Sequence, residues 1–181
     1  NETEERQPRA HLSLPIANVS VARNAGALNA NGNILMFLDA DTTLEQDSLQ
    51  KIKQQFTADY AVATTKIKPD AQSFRFRLAM ALKNLHLQTG FYKGCSGALL
   101  CHKDHFQNVG GYDPALSVRE HRKLILKLQS LGKYQCLNTY ATTSMRRYQN
   151  WGVGKVLFFW TTQFFKDHFG ELKESVYEKV R

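Results

Sequence analysis

Ile34-Leu35-Met36-Phe37-Leu38 is a continuous apolar run of strand length. A run without polar interruption predicts a strand buried on both faces of a parallel sheet. Ahead of it, small residues and Asn around Ala22, Ala25, Ala27 and Ala30 predict a short helix from Val21 to Asn31, with Gly32 placed to stop it. Residues 1–17 are polar with two prolines and read as a loop or strand fragment. Beyond the apolar run the pattern predicts a helix from Leu44 to Phe56, a strand from Tyr60 to Ile67 and a basic helix over 73–89. Gly90 to Gly97 then opens a short strand from Ala98 to Cys101, and Gly110-Gly111-Tyr112-Asp113-Pro114 is a turn. A helix from Glu120 to Leu131 aligns Leu124, Ile125, Leu128 and Leu131 on one face, and Gly132 ends it. Strand-helix alternation of this kind predicts an α/β fold.

The pattern changes after Trp151. Val153, Val156, Leu157, Trp160 and Phe164 share one helical face, while Phe158, Phe165 and Phe169 form a second stripe. Lys155, Lys166 and Asp167 interrupt the segment, which is too short to span a bilayer. It can pack on the domain or on another copy, or lie in a membrane interface with its lysines at the headgroups. The expected organisation is therefore a catalytic-type domain over 1–150 and a helical extension over 151–181.

A chain of 181 residues accommodates one such domain with an appendage. Its net charge of +8 is concentrated: residues 66–134 hold twelve Lys/Arg against four Asp/Glu. A basic middle suits a phosphorylated substrate, an anionic membrane or nucleic acid, and charge does not choose among them. Cys95, Cys101 and Cys136 show no metal or CxxC spacing and read as reduced thiols of an intracellular protein. Asn1-Glu2-Thr3 and Asn18-Val19-Ser20 match the glycosylation sequon, a pattern short enough to arise by chance. The N-terminus is acidic and polar, unlike a signal peptide, so the expected location is cytoplasmic, on the membrane face if the last helix binds lipid.

The candidate chemistry starts at Asp39-Ala40-Asp41, directly after the apolar run. In open α/β sheets ligands bind beyond the carboxyl ends of strands. Two carboxylates about 5 Å apart repel by roughly 3 kcal/mol at an effective dielectric near 20. A divalent cation reverses that sign and attracts phosphate oxygens as further ligands. One aspartate is accounted for as a helix N-cap ahead of Thr42 and Thr43; the second is not.

Ala22-Arg23-Asn24-Ala25-Gly26, Ala30-Asn31-Gly32 and Ile34 through Thr42 together resemble the middle of family 2 glycosyltransferases of the GT-A fold, with a Rossmann-like, mostly parallel sheet flanked by helices. Phe106 to Asp113 resembles that family's acceptor-side turn, and the helix from Glu120 follows at the expected spacing. The likeness runs from about Val19 to Tyr148. It implies transfer of a sugar from a UDP- or GDP-linked donor, with inversion, to an acceptor glycan or a polyprenyl-phosphate lipid. By this resemblance Asp39 and Asp41 hold Mn²⁺ or Mg²⁺ against the donor diphosphate. Arg23 and Asn24 lie on the donor side, and Gly94, Ser96 and Gly97 on the acceptor side. Arg146 and Arg147 resemble the arginine-bearing segment that closes over phosphates, after the last strand. Residues 1–20 do not resemble the family's first strand-turn-helix units, so the resemblance implies a chain lacking its nucleotide-binding segment.

The base departs from the family pattern. Inverting members carry Glu-Asp at the start of this helix, where this chain has Glu120-His121. Histidine can serve as a base near neutral pH. On a helix His121 shares the side of Leu124, Ile125 and Leu128, while Glu120 is rotated by about 100°. Two rival readings remain. A haloacid-dehalogenase-like phosphatase also uses Asp-x-Asp after an apolar strand but needs a second acidic cluster, and this chain has few acids between Asp70 and Glu120. A basic module binding RNA or membranes is suggested by Phe74-Arg75-Phe76-Arg77. On the transferase reading no nucleic-acid partner is expected.

Overall fold

The computed structural model describes residues 12–90, 93–116 and 118–169. The elements run α1 (Val19–Asn29), β1 (Ile34–Phe37), β2 (Thr42–Leu44), α2 (Ser48–Gln55), β3 (Tyr60–Pro69), α3 (Phe74–Gln88), β4 (Leu99–His102), α4 (Lys103–Asn108), α5 (Glu120–Leu128), β5 (Lys133–Thr143) and α6 (Arg146–Phe169). The first sequon, Phe91-Tyr92 of the glycine-rich stretch and the chain beyond 169 lie outside the described residues.

The five strands form one sheet in the order β1-β4-β3-β5-β2. β3 is its centre. Its Ala61, Val62, Ala63, Thr64 and Thr65 are fully buried, small or β-branched side chains that let helices close on both faces. On one face Leu35, Phe37, Val62, Leu99 and Cys101 pack with Ala27 of α1, Phe106 of α4 and Leu124, Ile125 and Leu128 of α5. On the other, Ala63, Ala98, Leu100 and Leu137 meet Ile52 of α2 and Phe56. A third cluster joins Ile67, Met80 of α3 and Met145, with Phe76 and Tyr148 against it. The α/β layering is as expected.

The sheet is mixed rather than mostly parallel. β3 and β5 are parallel, whereas β1–β4, β3–β4 and β2–β5 are antiparallel. Nor is β1 buried on both faces: Leu35 and Phe37 point inward, and Ile34, Met36 and Leu38 are exposed. It pairs with β4 alone among the described residues, so it is an edge strand with one covered face. An apolar run cannot by itself distinguish that from a central strand. The helix expected from Leu44 begins at Ser48, because Thr42–Leu44 is drawn into the sheet opposite Ala141, Thr142 and Thr143. The helix expected to reach Leu131 ends at Leu128.

Asn18 caps α1, its Oδ1 accepting from Val21 N–H at 3.0 Å and its Nδ2 donating to Pro114 C=O at 2.9 Å. Gly97 sits where no side chain fits, since a Cβ there would stand 2.3 Å from Thr65 Oγ1. α6 is broken at Gly152 (φ 75°, ψ 158°). Beyond the break Val156 and Gln163 are buried, and Arg119 donates to the Gln163 carbonyl at 3.0 Å, so α6 packs on the domain there. Phe158 and Phe165 of its second stripe remain exposed. No helix among the described residues is long and apolar enough to cross a membrane.

Candidate functional site

Strand direction decides where the chemistry collects. β1 and β3 both run antiparallel to β4 and so point the same way, and β5 is parallel to β3. The carboxyl ends of β1, β3 and β5 therefore share one edge of the sheet, and β4 begins at that edge. In such sheets this is where ligands bind.

A cavity of about 450 Å³ lies there. Asp39 and Asp41 reach it from the turn after β1, Arg23 from α1, Ser96 and Gly97 from the loop before β4, Glu120 and His121 from the start of α5, and Arg146 and Arg147 from the start of α6. Residues far apart in the chain thus converge because each stands at the end of an element facing the same edge.

Two candidates are placed otherwise. Asn24 does not line the cavity: its amide donates to Tyr112 C=O and its Oδ1 accepts from Tyr112 N–H, both at 2.9 Å. Gly111, at φ 66°, permits that approach, since a Cβ would stand 2.8 Å from Asn24 Oδ1. Asn24 thereby fastens the Gly110-Gly111-Tyr112 turn onto α1. Gly94 belongs to an adjoining cavity, and its carbonyl accepts from Tyr134 O–H at 2.9 Å.

Arg23 connects the acidic turn to α5. One guanidinium nitrogen donates to Asp39 at 2.6 Å and another to Glu120 at 2.8 Å, and the group lies 5.3 Å from the Tyr112 ring centre. Burial opposes its charge, but Tyr112, Glu120 and Asp39 together outweigh burial and its pKa is raised. Asp39 is held by this ion pair, whereas among the described residues Asp41 has a single 3.5 Å contact from Thr42 Oγ1. Both aspartates are exposed. Among the described residues no three His, Cys, Asp or Glu side chains converge as a metal cluster.

Tyr112 is buried, and its hydroxyl lies 2.9 Å from His121 Nδ1. The phenol donates in this contact when the imidazole hydrogen sits on Nε2 and accepts when it sits on Nδ1. Burial first, then the charge of Arg23, push the His121 pKa down to about 3, against an opposing pull from Asp39. The folded pKa lies below the unfolded value of 6.5, so folding is not penalised above pH 6.5 and loses stability as the pH falls. Each pH unit below 6.5 is worth about 1.4 kcal/mol until the folded pKa is reached. We expect the parent to lose about 2 kcal/mol more than a His121→Gln variant between pH 7.5 and pH 5. Urea unfolding at the two pH values measures this, and equal losses would refute it.

Lys83, Cys95, Tyr148 and Trp160 also line the cavity and were not singled out from the sequence as site residues. Lys83 had a signal: with Met80, Asn84 and Leu87 it falls on the inward stripe of α3. Burial lowers its pKa, and among the described residues no carboxylate pairs with it. Burial raises the Cys95 thiol to about 12, which keeps it protonated and makes it a neutral wall rather than a nucleophile.

The adjoining cavity measures about 570 Å³. It shares Lys83, Cys95, Ser96, Glu120, His121, Tyr148 and Trp160 with the first, and adds Gly94, His86, Arg119, Arg122, Thr161 and Phe165. Ser96, which lines both, has a buried Oγ with no hydrogen-bond partner among the described residues.

The family model described as glycosyl transferase family 2 matches residues 12–110, more than half of the chain. The match takes in Arg23, the acidic turn and the Gly94–Gly97 loop, while Glu120, His121, Arg146 and Arg147 lie beyond it. No curated protein matches.

Proposed function

This chain belongs to glycosyl transferase family 2, and from that premise we propose that the 450 Å³ cavity is the donor site, where a nucleotide-sugar gives up its sugar to an acceptor with inversion. The observation that carries this reading is the meeting in one cavity of an open carboxylate pair, Asp39 and Asp41, with the cations Lys83, Arg146 and Arg147.

Asp39 and Asp41 are too few to retain a cation alone, but they suit one that arrives with a diphosphate, whose oxygens supply the remaining ligands. Bound there, Mn²⁺ or Mg²⁺ would supply charge neutralisation to the departing diphosphate. Arg146 and Arg147 present planar forks suited to phosphate oxygens. They stand at the first turn of α6. Arg23 fixes Asp39 and Glu120 relative to one another, so the donor end and the acceptor end of the site are built as a unit. The carboxylates of the cavity are Asp39, Asp41 and Glu120, and Glu120 is taken by Arg23. Among the described residues no second acidic cluster stands ready for phosphatase chemistry.

Inorganic pyrophosphate tests the reading on these residues alone, without reliance on a base pocket. With Mn²⁺ it should raise the melting temperature, as should nucleoside diphosphates, and Asp41→Asn should remove the Mn²⁺-dependent part. An equal shift without metal, or in the variant, would sink the assignment of the acidic turn.

A further inference from the structure

We propose that Arg119 is a positioning residue of this site: by gripping α6 it holds the first turn of α5, and with it Glu120 and His121, against the donor cavity. This deepens the transferase reading and rests on it. The first ground is the backbone. Arg119 stands at φ 61°, ψ 20°, the one residue other than glycine with positive φ among the described residues. A residue with a Cβ is strained there, and such strain persists only where the surroundings enforce it. Arg119 also occupies the N-cap of α5, where its side chain makes no capping hydrogen bond. A guanidinium carries donors alone and has no acceptor to offer the helix N–H groups. Local chemistry thus favours glycine, serine or aspartate at this position, and what holds an arginine in it is a tertiary contact.

The second ground is that contact. Arg119 is 6% exposed, and one of its guanidinium nitrogens donates to the Gln163 carbonyl of α6 at 3.0 Å. Gln163 is equally buried, and Val156, seven residues earlier on α6, is fully buried. The grip therefore sits where α6 packs on the domain, and it acts on the residue directly before Glu120. The Arg119 carbonyl accepts from Lys123 N–H at 3.2 Å, which opens the helix, and the Glu120 carboxylate is fixed in turn by Arg23 at 2.8 Å. The packed part of α6, the start of α5 and the Arg23 ion pair are thus joined in series.

The third ground is the break in α6. Gly152, at φ 75°, ψ 158°, lies in a backbone region open in practice to glycine alone, and it separates two segments with different anchors. Ahead of it Tyr148 packs against Ile67, Met80 and Met145, which fastens the turn carrying Arg146 and Arg147 beside the donor cavity. Behind it Val156 and Gln163 hold the segment that Arg119 grips. Loosening the second segment should therefore disturb Glu120 and His121 and leave Arg146 and Arg147 in place.

Hydrogen exchange of single amides, read by NMR, tests the linkage, and turnover tests its role. Arg119→Met should speed exchange of the Lys123 amide about tenfold or more, while the Leu128 amide changes by less than about threefold. Val156→Ala, which leaves α5 itself untouched, should speed Lys123 exchange in the same direction. With the nucleotide-sugar that the parent turns over, Arg119→Met should lower kcat about tenfold or more and keep the donor KM within about twofold. Arg119→Lys, which keeps a donor for the Gln163 carbonyl, should recover most of that loss. Adding Val156→Ala to Arg119→Met should cost no further kcat, because both cut the same link. Unchanged Lys123 exchange in Val156→Ala, an unchanged kcat in Arg119→Met, or additive losses in the double variant would overturn the proposal. Should Arg119→Met fail to fold, Lys123 exchange and kcat in Val156→Ala decide alone, both altered supporting the linkage and either one unaltered overturning it. The pyrophosphate and Mn²⁺ shift separates the two readings. If it appears while Lys123 exchange and kcat stay unmoved, the Arg119 proposal alone falls; if it is absent, the donor site is misassigned however Lys123 responds.

Discussion

An Arg23→Ala variant should unfold with about 3–5 kcal/mol less free energy than the parent, the usual cost of leaving a buried charge without its partner. The Glu120 side chain is only 7% exposed and its recorded ion-pair partner is Arg23 at 2.8 Å. Asp39, at 53% exposure, can turn to water instead and contributes little to the loss. For a chain of this size the expected fall in melting temperature is on the order of 10 °C. The attribution is checked by a double variant. In Glu120→Gln the neutral amide no longer requires a cation, so adding Arg23→Ala to it should cost less than half as much as adding it to the parent. Losses equal in both backgrounds would mean that Arg23 acts through packing on Tyr112 rather than through its charge.

Asp41→Asn should behave in the opposite way, with catalysis lost and the fold kept. With whichever nucleotide-sugar the parent turns over, release of nucleoside diphosphate should drop at least a hundredfold in kcat. This is the scale seen when one group that stabilises developing charge is removed. Stability should change by less than about 0.5 kcal/mol, because Asp41 is exposed and its one hydrogen-bond contact among the described residues is the 3.5 Å approach of Thr42 Oγ1. Asp39 is the less clean target, since removing it also releases Arg23. Turnover by Asp41→Asn within tenfold of the parent, or full parent activity in excess EDTA, would show that the acidic turn is structural.

The site was more legible than the sheet that builds it. Asp39 and Asp41 could be placed because an apolar strand ending in acids is a local pattern, and Glu120 and His121 because they open an amphipathic helix. Ser96 and Gly97 precede a short apolar strand, and Arg146 and Arg147 an aromatic helix. Each is an element end, and element ends in this fold gather at one edge. Strand order was not legible. β2 exists only because Thr42, Thr43 and Leu44 find partners a hundred residues away, at Thr143, Thr142 and Ala141. β5 mixes inward Leu137, Thr139 and Ala141 with polar outward residues, which gives no strong apolar period. Its register against β3 shifts between Thr65 and Lys66, and no local signal announces that. Lys83 escaped notice because a lysine on a basic helix reads as solvated surface until the opposite wall of the cavity is known.

The outer side of β1 has a practical consequence. Its backbone N–H and C=O groups on that side have no strand against them among the described residues, and Ile34, Met36 and Leu38 stand exposed along it. No lysine, proline or bulge interrupts the run, and these are the devices that ordinarily blunt such a rim. Any extended apolar peptide, including the same segment of a neighbouring copy, finds a ready-made template there. Among the described residues, Ile34, Met36 and Leu38 are the apolar side chains that such pairing would bring together.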